Sequence, residues 1–278
     1  MANLSISKAW DEASAFLRRE ARLVAPVALA AFVVPSTVVQ WMEPRGAAAP
    51  STSAGTALLL MFVTLLFAFV GQMTIAALVT GWRGSVGEAL AAAFRRVWGV
   101  FAAIVIIFLP IALVGGLAAG LALIAAGISD PAAVTPEALA KLPQVGAVLL
   151  ILSLVMLVIW VRLFPMPAVA INEGANPLKL MARSWALTRG HLWRLLATVL
   201  LIMIASIVLG WAVTMVVGAV VTLTLGPALP FSASALIIAL FAAIAGAVVS
   251  AVGAALVGRI YAQLSAGEAS VPEVSREG

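Results

Sequence analysis

Three polar residues within or beside apolar stretches, Gln72, Arg162 and Glu173, are the side chains of this sequence most able to bind a ligand. Gln72 lies inside one apolar stretch, and Arg162 lies near the end of another. Because a charge at the centre of a bilayer costs at least about 2.5 kcal/mol, an intramembrane cation is a candidate functional residue. The three residues are candidates for an intramembrane polar site, in which Arg162 would bind an anion or a lipid phosphate with Glu173 as its partner. The sequence favours the alternatives, which are a hydrogen bond from Gln72 to a neighbouring helix and an Arg162 side chain that extends to the membrane surface.

Residues suited to catalysis or metal binding are scarce. The chain has no cysteine and a single histidine, His191, which lies between Arg189 and Arg194. Metal sites and general acid–base catalysis need several such groups close together, and the sequence contains no HExxH, GxSxG or Walker A motif. We therefore expect no catalytic residue, no metal and no cofactor. The protein is predicted to be non-enzymatic, and an intramembrane enzyme that uses a buried serine is the alternative.

Six long apolar stretches must position these residues. The 278-residue chain is 64% hydrophobic and only 10% charged, whereas soluble domains contain about 25% charged residues. A membrane-crossing helix needs about 20 apolar residues, and six stretches satisfy this length: 23–42, 57–80, 98–128, 145–164, 194–225 and 232–258. The sequence therefore predicts an all-α, polytopic membrane protein with six transmembrane helices. It divides into an N-terminal helix (1–22), a transmembrane domain (23–264) and a disordered polar tail (265–278).

Basic residues are concentrated on one side of this predicted topology. The loops 43–56, 129–144 and 226–231 contain only Arg45 and Lys141 out of the 16 Lys and Arg residues. Because basic loops tend to remain in the cytoplasm, we predict that both termini are cytoplasmic. The net charge of +5 is assigned to contact with anionic lipid headgroups rather than with nucleic acid.

A short basic segment precedes the first, third and fifth predicted spans, and each segment has apolar residues at helical spacing. Ser85 and Glu88 have the spacing of a capping box, and Asn176 with Pro177 is a typical helix start. We predict three amphipathic helices that lie on the cytoplasmic surface of the membrane. Their predicted apolar faces are Ile6, Trp10, Ala13 and Leu17 in the first, Val86, Leu90, Phe94 and Val97 in the second, and Leu178, Met181, Trp185 and Leu192 in the third.

The basic residues of these three helices are the predicted contacts with anionic lipid headgroups. They are Lys8, Arg18, Arg19, Arg22, Arg95, Arg96, Lys179, Arg183 and Arg189. A helix followed by two spans occurs three times, which indicates a weak internal repeat. The alternative is that each cytoplasmic loop is independently basic and helical.

Small residues recur at four-residue spacing in three predicted spans. The sets are Gly116 and Gly120 in the third, Gly210, Thr214, Gly218, Thr222 and Gly226 in the fifth, and Gly246, Ser250, Ala254 and Gly258 in the sixth. In lipid, helices that lack bulk on one face can approach closely and gain van der Waals contact. We expect these faces to pack inside the bundle, with a homodimer interface as the alternative.

The run from Pro165 to Leu196 combines a proline pair, an acidic–glycine turn and a basic helix with the pattern SW-LT-G-W. These elements are Pro165 and Pro167, Glu173 and Gly174, then Ser184, Trp185, Leu187, Thr188, Gly190 and Trp193. The run resembles the membrane domain of bacterial glycerophosphoryl diester phosphodiesterase proteins and the YciC-like inner-membrane proteins. In the phosphodiesterases, catalysis belongs to a separate soluble barrel, so the resemblance implies no activity here. It implies a six-span protein of the bacterial inner membrane with a role in lipid or envelope maintenance.

These observations favour a non-enzymatic scaffold, regulator or lipid-associated factor that acts through its cytoplasmic surface. The second hypothesis is a transporter or channel for a small molecule or lipid, because Pro110 and Pro165 could break spans as in transporters. Ion-coupled carriers usually have ionisable groups at the membrane midplane, and the predicted spans contain no Asp or Glu. The expected partners are membrane lipids, and a second copy of the chain or another membrane protein is a further candidate.

Overall fold

The computed structural model describes residues 5–43, 52–125, 143–174 and 176–269. The predictions for Arg45, Lys141 and residues 270–278 lie outside these ranges. Within them the chain forms helices and no strands. The helices are α1 (Ile6–Arg19), α2 (Ala21–Met42), α3 (Ala54–Val79), α4 (Val86–Ala125), α5 (Pro143–Leu163), α6 (Met166–Glu173), α7 (Pro177–Leu187), α8 (Leu192–Leu225) and α9 (Ala233–Ala269).

Six helical segments are long and apolar enough to cross a membrane, as the sequence predicts: α2, α3, α4, α5 together with α6, α8, and α9. The largest differences from the predicted boundaries concern two helices. The 40-residue α4 begins at Val86 rather than at residue 98, and α9 continues to Ala269 instead of giving way to a tail at residue 265. At 1.5 Å per residue α4 is about 60 Å long, which exceeds the roughly 30 Å of hydrocarbon in a bilayer.

Local sequence explains where several helices begin. The Ser85 hydroxyl accepts a hydrogen bond from Glu88 N (3.2 Å), and the Glu88 carboxylate accepts one from Ser85 N (3.0 Å), so the predicted capping box is confirmed. The Asn176 side chain accepts a hydrogen bond from Lys179 N, and Pro177 is the first residue of α7. The predicted second amphipathic helix is nevertheless not a separate helix, because α4 continues through Trp98 into the third span without a break.

Prolines shape the first and fourth spans. In α2, Leu29–Val33 form one π-helical turn, in which Val34 N donates to the Leu29 carbonyl just before Pro35. A proline cannot continue the regular hydrogen-bond pattern, and a π turn is one way in which a helix accommodates the change. In the fourth span, α5 ends at Leu163 and Pro165 precedes the short helix α6. Pro110, by contrast, lies within the continuous α4.

The helices converge at one end of the bundle. We call this the charged end; it comprises α1, the start of α2, the α3–α4 turn, the first turns of α4, the end of α5, α6, α7, the start of α8 and the last turns of α9. All Lys and Arg residues of the described ranges lie there. Helix α9 contacts α1, α2, α3, α6 and α8. The most deeply buried side chains, among them Met73, Ala93, Val100, Ala170 and Ile260, lie in this half of the bundle. The opposite end, which we call the open end, comprises the last turn of α2, which contains Trp41, and the turn between α8 and α9.

The short helices pack on the bundle through one face, and several residues of the predicted lipid-facing apolar faces are exposed. Helix α1 packs on α9 through Ala9, Ala13 and Phe16, whereas Trp10 is 46% exposed. The same is true of α4 and α7, where Ala89, Ala92, Ala93, Leu180, Ser184 and Leu187 are buried while Leu90, Phe94, Leu178 and Trp185 are exposed. The reason is that lipid is as apolar as leucine, so large apolar residues gain nothing by turning inward and small residues supply the contact surface.

The two termini of the described chain meet at the charged end. Ser5 N donates a hydrogen bond to the Gln263 side-chain oxygen (3.2 Å), and Arg259 Nη1 lies 3.9 Å from a Glu12 carboxylate oxygen. An even number of crossings requires both ends to lie on one face, and these contacts between α1 and α9 agree with that requirement.

Candidate functional site at the charged end

Glu173 is the centre of a small network that joins three helices. Its carboxylate accepts hydrogen bonds from Arg183 Nε on α7 (2.8 and 3.1 Å) and from the Tyr261 hydroxyl on α9 (2.9 Å). Glu173 ends α6, and Gly174 follows with φ +125°, a conformation that favours glycine and turns the chain toward α7. The predicted pairing of Glu173 with Arg162 is therefore wrong, because Arg183 and Tyr261 occupy the carboxylate instead.

Arg162 is half-buried and has no carboxylate partner in the described part of the chain. Its guanidinium carbon lies 5.1 Å from the centre of the Trp185 ring, and its Nη1 donates a long hydrogen bond to the Thr188 hydroxyl (3.4 Å). Its Nε is buried without a hydrogen-bond partner. The aromatic face stabilises the cation by about 0.5–2 kcal/mol, but no negative charge balances it. An anion such as a phosphate would supply that charge and accept the free N–H.

The guanidinium of Arg96 has a structural role that the sequence did not reveal. Its Nη1 donates to the carbonyls of Ala170 and Ile171 in the last turn of α6. Such carbonyls have no partner within their own helix, and a cation at a helix C-terminus also interacts favourably with the helix dipole. Arg96 was predicted to contact lipid headgroups; the structure places its side chain against α6.

A groove of about 590 Å³ runs between the end of α6 and helix α7. Its walls include Glu173, Asn176, Lys179 and Arg183. Lys179 is exposed and has no ion pair within the described residues. The groove therefore has two cations and one carboxylate, and the carboxylate is already bonded to one of the cations.

Other basic residues at this end divide into two groups. Carboxylates lie near Lys8 (Glu12, 3.9 Å) and Arg19 (Glu20, 2.9 Å). A second group is exposed and forms no ion pair with any described residue. Its members are Arg18, Arg22, Arg83, Arg95, Lys179 and Arg189.

His191 precedes α8 on the same surface. Partial burial, and then the nearby Arg194, lower the pKa of its imidazole below the ordinary value of 6.5. The side chain is therefore neutral at pH 7 and adds no positive charge to this end of the bundle.

Gln72 does not join the candidate site. It lies in α3 and is half-buried, and among the described residues no hydrogen bond connects it to Arg162 or Glu173. Thr80, at the end of α3, instead reaches the Asn172 side chain next to Glu173 (3.1 Å). Sequence reasoning also missed Tyr261, whose one signal was that it is the only tyrosine of the chain.

Comparison with known proteins identifies a family. The family model described as "Domain of unknown function (DUF7847)" matches residues 4–264, and the chain belongs to that family. The match covers all helices described above except the last residues of α9. No curated protein and no solved structure matches the chain significantly.

Proposed function

We propose that this DUF7847 protein is a non-enzymatic membrane protein that binds anionic lipid headgroups at its charged end, which faces the cytoplasm of a bacterial inner membrane. The observation that carries the proposal is the group of exposed basic side chains without carboxylate partners, represented by Arg18, Arg22 and Arg95. A basic residue next to an anionic membrane surface contributes about 1 kcal/mol of attraction. Since these side chains are not neutralised by the protein, lipid phosphates are the counter-charges that surround them.

Exposed aromatic residues at the same end support this proposal. Trp98, Trp160, Trp185 and Trp193 are each about half exposed or more, with Trp193 at 78%. Indole rings prefer the headgroup level, where the apolar ring and the N–H are both accommodated. The charged end thus presents tryptophan and arginine side chains together, which is the composition expected of a surface at the boundary between lipid and water.

Arg162 supplies the most specific contact of this proposal. Its guanidinium is held in place by Trp185 and Thr188, so little side-chain entropy remains to be lost when an anion binds. A guanidinium can bind two oxygens of one phosphate at once. We therefore assign Arg162 to a single ordered lipid phosphate, and the exposed cations of α1 and α4 to a looser shell of anionic lipid. A role in lipid or envelope maintenance, which the resemblance to YciC-like proteins implies, would use the same surface, and so would a scaffold or regulator.

The test compares two double variants that remove the same charge. Arg18→Gln/Arg22→Gln removes two unpaired cations, and Lys8→Gln/Arg19→Gln removes two cations that have a carboxylate nearby. Each protein is reconstituted in bilayers, and electron paramagnetic resonance of spin-labelled lipids gives the association constant of phosphatidylglycerol relative to phosphatidylcholine. We expect the first variant to lower this ratio by up to about 1 kcal/mol per charge, and the control to lower it by less than half as much.

Two results would contradict the proposal. Equal losses in the two variants would mean that net charge, and not unpaired side chains, attracts the lipid. An unchanged ratio in both would mean that this end has no preference for anionic headgroups.

A further inference from the structure

A cavity lies between two neighbouring spans, α8 and α9, near the middle of their length. It has a volume of about 730 Å³ and lies between residues 206–215 of α8 and residues 242–250 of α9. A Cβ atom added at Gly210 or Gly246 would meet no other atom within 4 Å. The small residues of these two helices, which were expected to pack together, therefore face an unfilled space. Ligand pockets are typically about 300–1,000 Å³, so this volume is sufficient for a small ligand.

Two smaller cavities adjoin the first. One, of about 190 Å³, shares Thr214 with it and is also lined by Gln40. The other, of about 170 Å³, is lined by Gln40 and shares Gly246 and Ser250 with the large cavity. Because they share lining residues, the three form one group between α2, α8 and α9. The group extends from the level of Gln40, near the end of α2, to that of Ser206 on α8.

The lining of these cavities is uncharged but not entirely apolar. Most hydroxyls at membrane depth donate to their own helix, as Ser206 does to the Ile202 carbonyl (2.7 Å). The Thr214 hydroxyl is an exception, since it is buried and has no hydrogen-bond partner among the described residues. A buried hydroxyl that makes no hydrogen bond is unfavourable. Thr214 lines both the large cavity and the one that contains Gln40, so a ligand in either could bond to it.

Trp41 follows the cavity-lining Gln40 and lies at the open end of the bundle. Its indole N–H donates to the Ser232 carbonyl (3.0 Å), and its ring packs edge-on against Phe231 at 5.5 Å. These contacts tie the end of α2 to the turn between α8 and α9. On the membrane side the boundary of the large cavity is exposed, with Trp211 65% and Met215 61% exposed. Entry is therefore from the lipid phase, which restricts the occupant to a molecule that dissolves in the bilayer.

We propose that these cavities bind a neutral amphiphile, with a hydrocarbon chain between α8 and α9 and an uncharged hydroxyl or ester group near Gln40 and Thr214. The charge of the ligand follows from the lining, because an ion there would have no counter-charge and would carry its full desolvation cost. Its polar group follows from the hydroxyl of Thr214 and the amide of Gln40, whose Nε2 donates to the Ser36 carbonyl (3.2 Å) and has a second hydrogen to donate. This inference does not depend on headgroup binding at the charged end.

The probe is a monoacylglycerol that carries a photoreactive diazirine in its acyl chain. The full-length protein is reconstituted in phosphatidylcholine nanodiscs with the probe and irradiated, and the labelled peptides are identified by mass spectrometry. We expect labels to concentrate at residues 206–215 and 242–250. Gly246→Leu, which fills the cavity, should reduce labelling there at least fivefold. Gly116→Leu is the matched control, since Gly116 also has no atom within 4 Å of an added Cβ and lines none of these cavities.

A second variant examines the polar group of the ligand. Thr214→Val keeps the shape of the side chain and removes the hydroxyl. Loss of one hydrogen bond, worth about 0.5–1.5 kcal/mol, should reduce labelling by about two- to tenfold. Equal labelling by a phosphatidylglycerol that carries the same diazirine would overturn the preference for a neutral headgroup.

Three further outcomes would also overturn the proposal. The first is labelling spread evenly over all lipid-facing helices. The second is labelling that Gly246→Leu leaves unchanged although the variant folds, as judged by its elution and helicity. The third is a cross-link between two protein chains at residues 206–215, which would show that a second copy covers the cavity.

Discussion

Replacing Gly71 with alanine should force the first two spans apart. A Cβ built on Gly71 lies 2.6 Å from the Cβ of Ala31 and 2.9 Å from Cζ of Phe32, whereas carbon atoms in contact are normally about 3.5–4.0 Å apart. Phe32 can rotate its ring, but the Cβ of Ala31 has no torsion that could move it. The backbone of α2 or α3 must therefore shift by about 1 Å, at the π-helical turn of α2.

The magnitude follows from a comparison with Gly246. Overpacking costs about 1–3 kcal/mol, and exchanging glycine for alanine within a helix gains up to about 1 kcal/mol. Gly246→Ala gains the same helix propensity, but the added Cβ meets no atom within 4 Å. The difference between the two variants therefore isolates the packing cost and should be about 1–3 kcal/mol. Gly258→Ala should fall between them, because its Cβ would lie 3.1 Å from Val79 Cγ1 and 3.3 Å from Ala76 Cα.

The assay is unfolding in mixed micelles of dodecyl maltoside with increasing dodecyl sulfate, followed by circular dichroism. All variants are compared in the same micelles, so that differences in the free energy of unfolding are measured against one reference. If Gly71→Ala lies within about 0.5 kcal/mol of Gly246→Ala, the close approach of α2 and α3 at Gly71 is refuted.

Two other predictions concern the charged end. Tyr261→Phe should cost about 1 kcal/mol in wild-type protein but much less in a Glu173→Ala background, because both changes remove the same hydrogen bond; additive free energies of unfolding would contradict the network. The pKa of the His191 imidazole, measured by NMR in an uncharged detergent, should lie below 6.5. In Arg194→Gln this pKa should rise only partly toward 6.5, because burial is the larger cause of its lowering. Because the folded-state pKa is the lower one, this group makes the protein less stable as pH falls from above 6.5 toward that pKa, and His191→Gln should remove this part of the pH dependence. A pKa at or above 6.5 would show that the imidazole is not buried as described.

The sequence was sufficient to predict features that depend on composition and on short-range spacing. Six apolar stretches of adequate length became six helices able to cross a membrane. The helix starts at Ser85 and Asn176 were also predictable, since a cap is formed by residues three positions apart. Lipid as the surrounding solvent makes these signals strong, because an apolar segment in a membrane must satisfy its backbone hydrogen bonds internally.

Features that depend on contacts between distant segments were not predictable in the same way. Glu173 was paired with Arg162 on the basis of proximity in sequence, but Tyr261 and Arg183 approach it from other helices. The apolar faces of α1 and α7 were predicted from their large apolar residues, as surfaces that contact lipid. Where the alternative to a protein contact is a lipid tail, the size of an apolar residue does not indicate whether it packs on the protein, and the buried position of Ala9 against α9 was not predicted.

The small residues show most clearly why spacing alone is not enough. Gly71 faces Phe32, Gly115 faces Leu152 and Gly258 faces Val79, so at each of these positions one helix lacks bulk and its neighbour supplies it. Between α8 and α9 both helices lack bulk at the same level, since Gly210 and Ser206 share a cavity with Gly246 and Ser250. Two such faces leave space between them, because a Cβ at Gly210 or at Gly246 would meet no atom within 4 Å. The same four-residue spacing of small residues therefore gives a close helix contact where the opposing helix has a large side chain, and a cavity where it has a small one. In a bilayer, molecules dissolved in the lipid can enter a cavity whose rim is exposed.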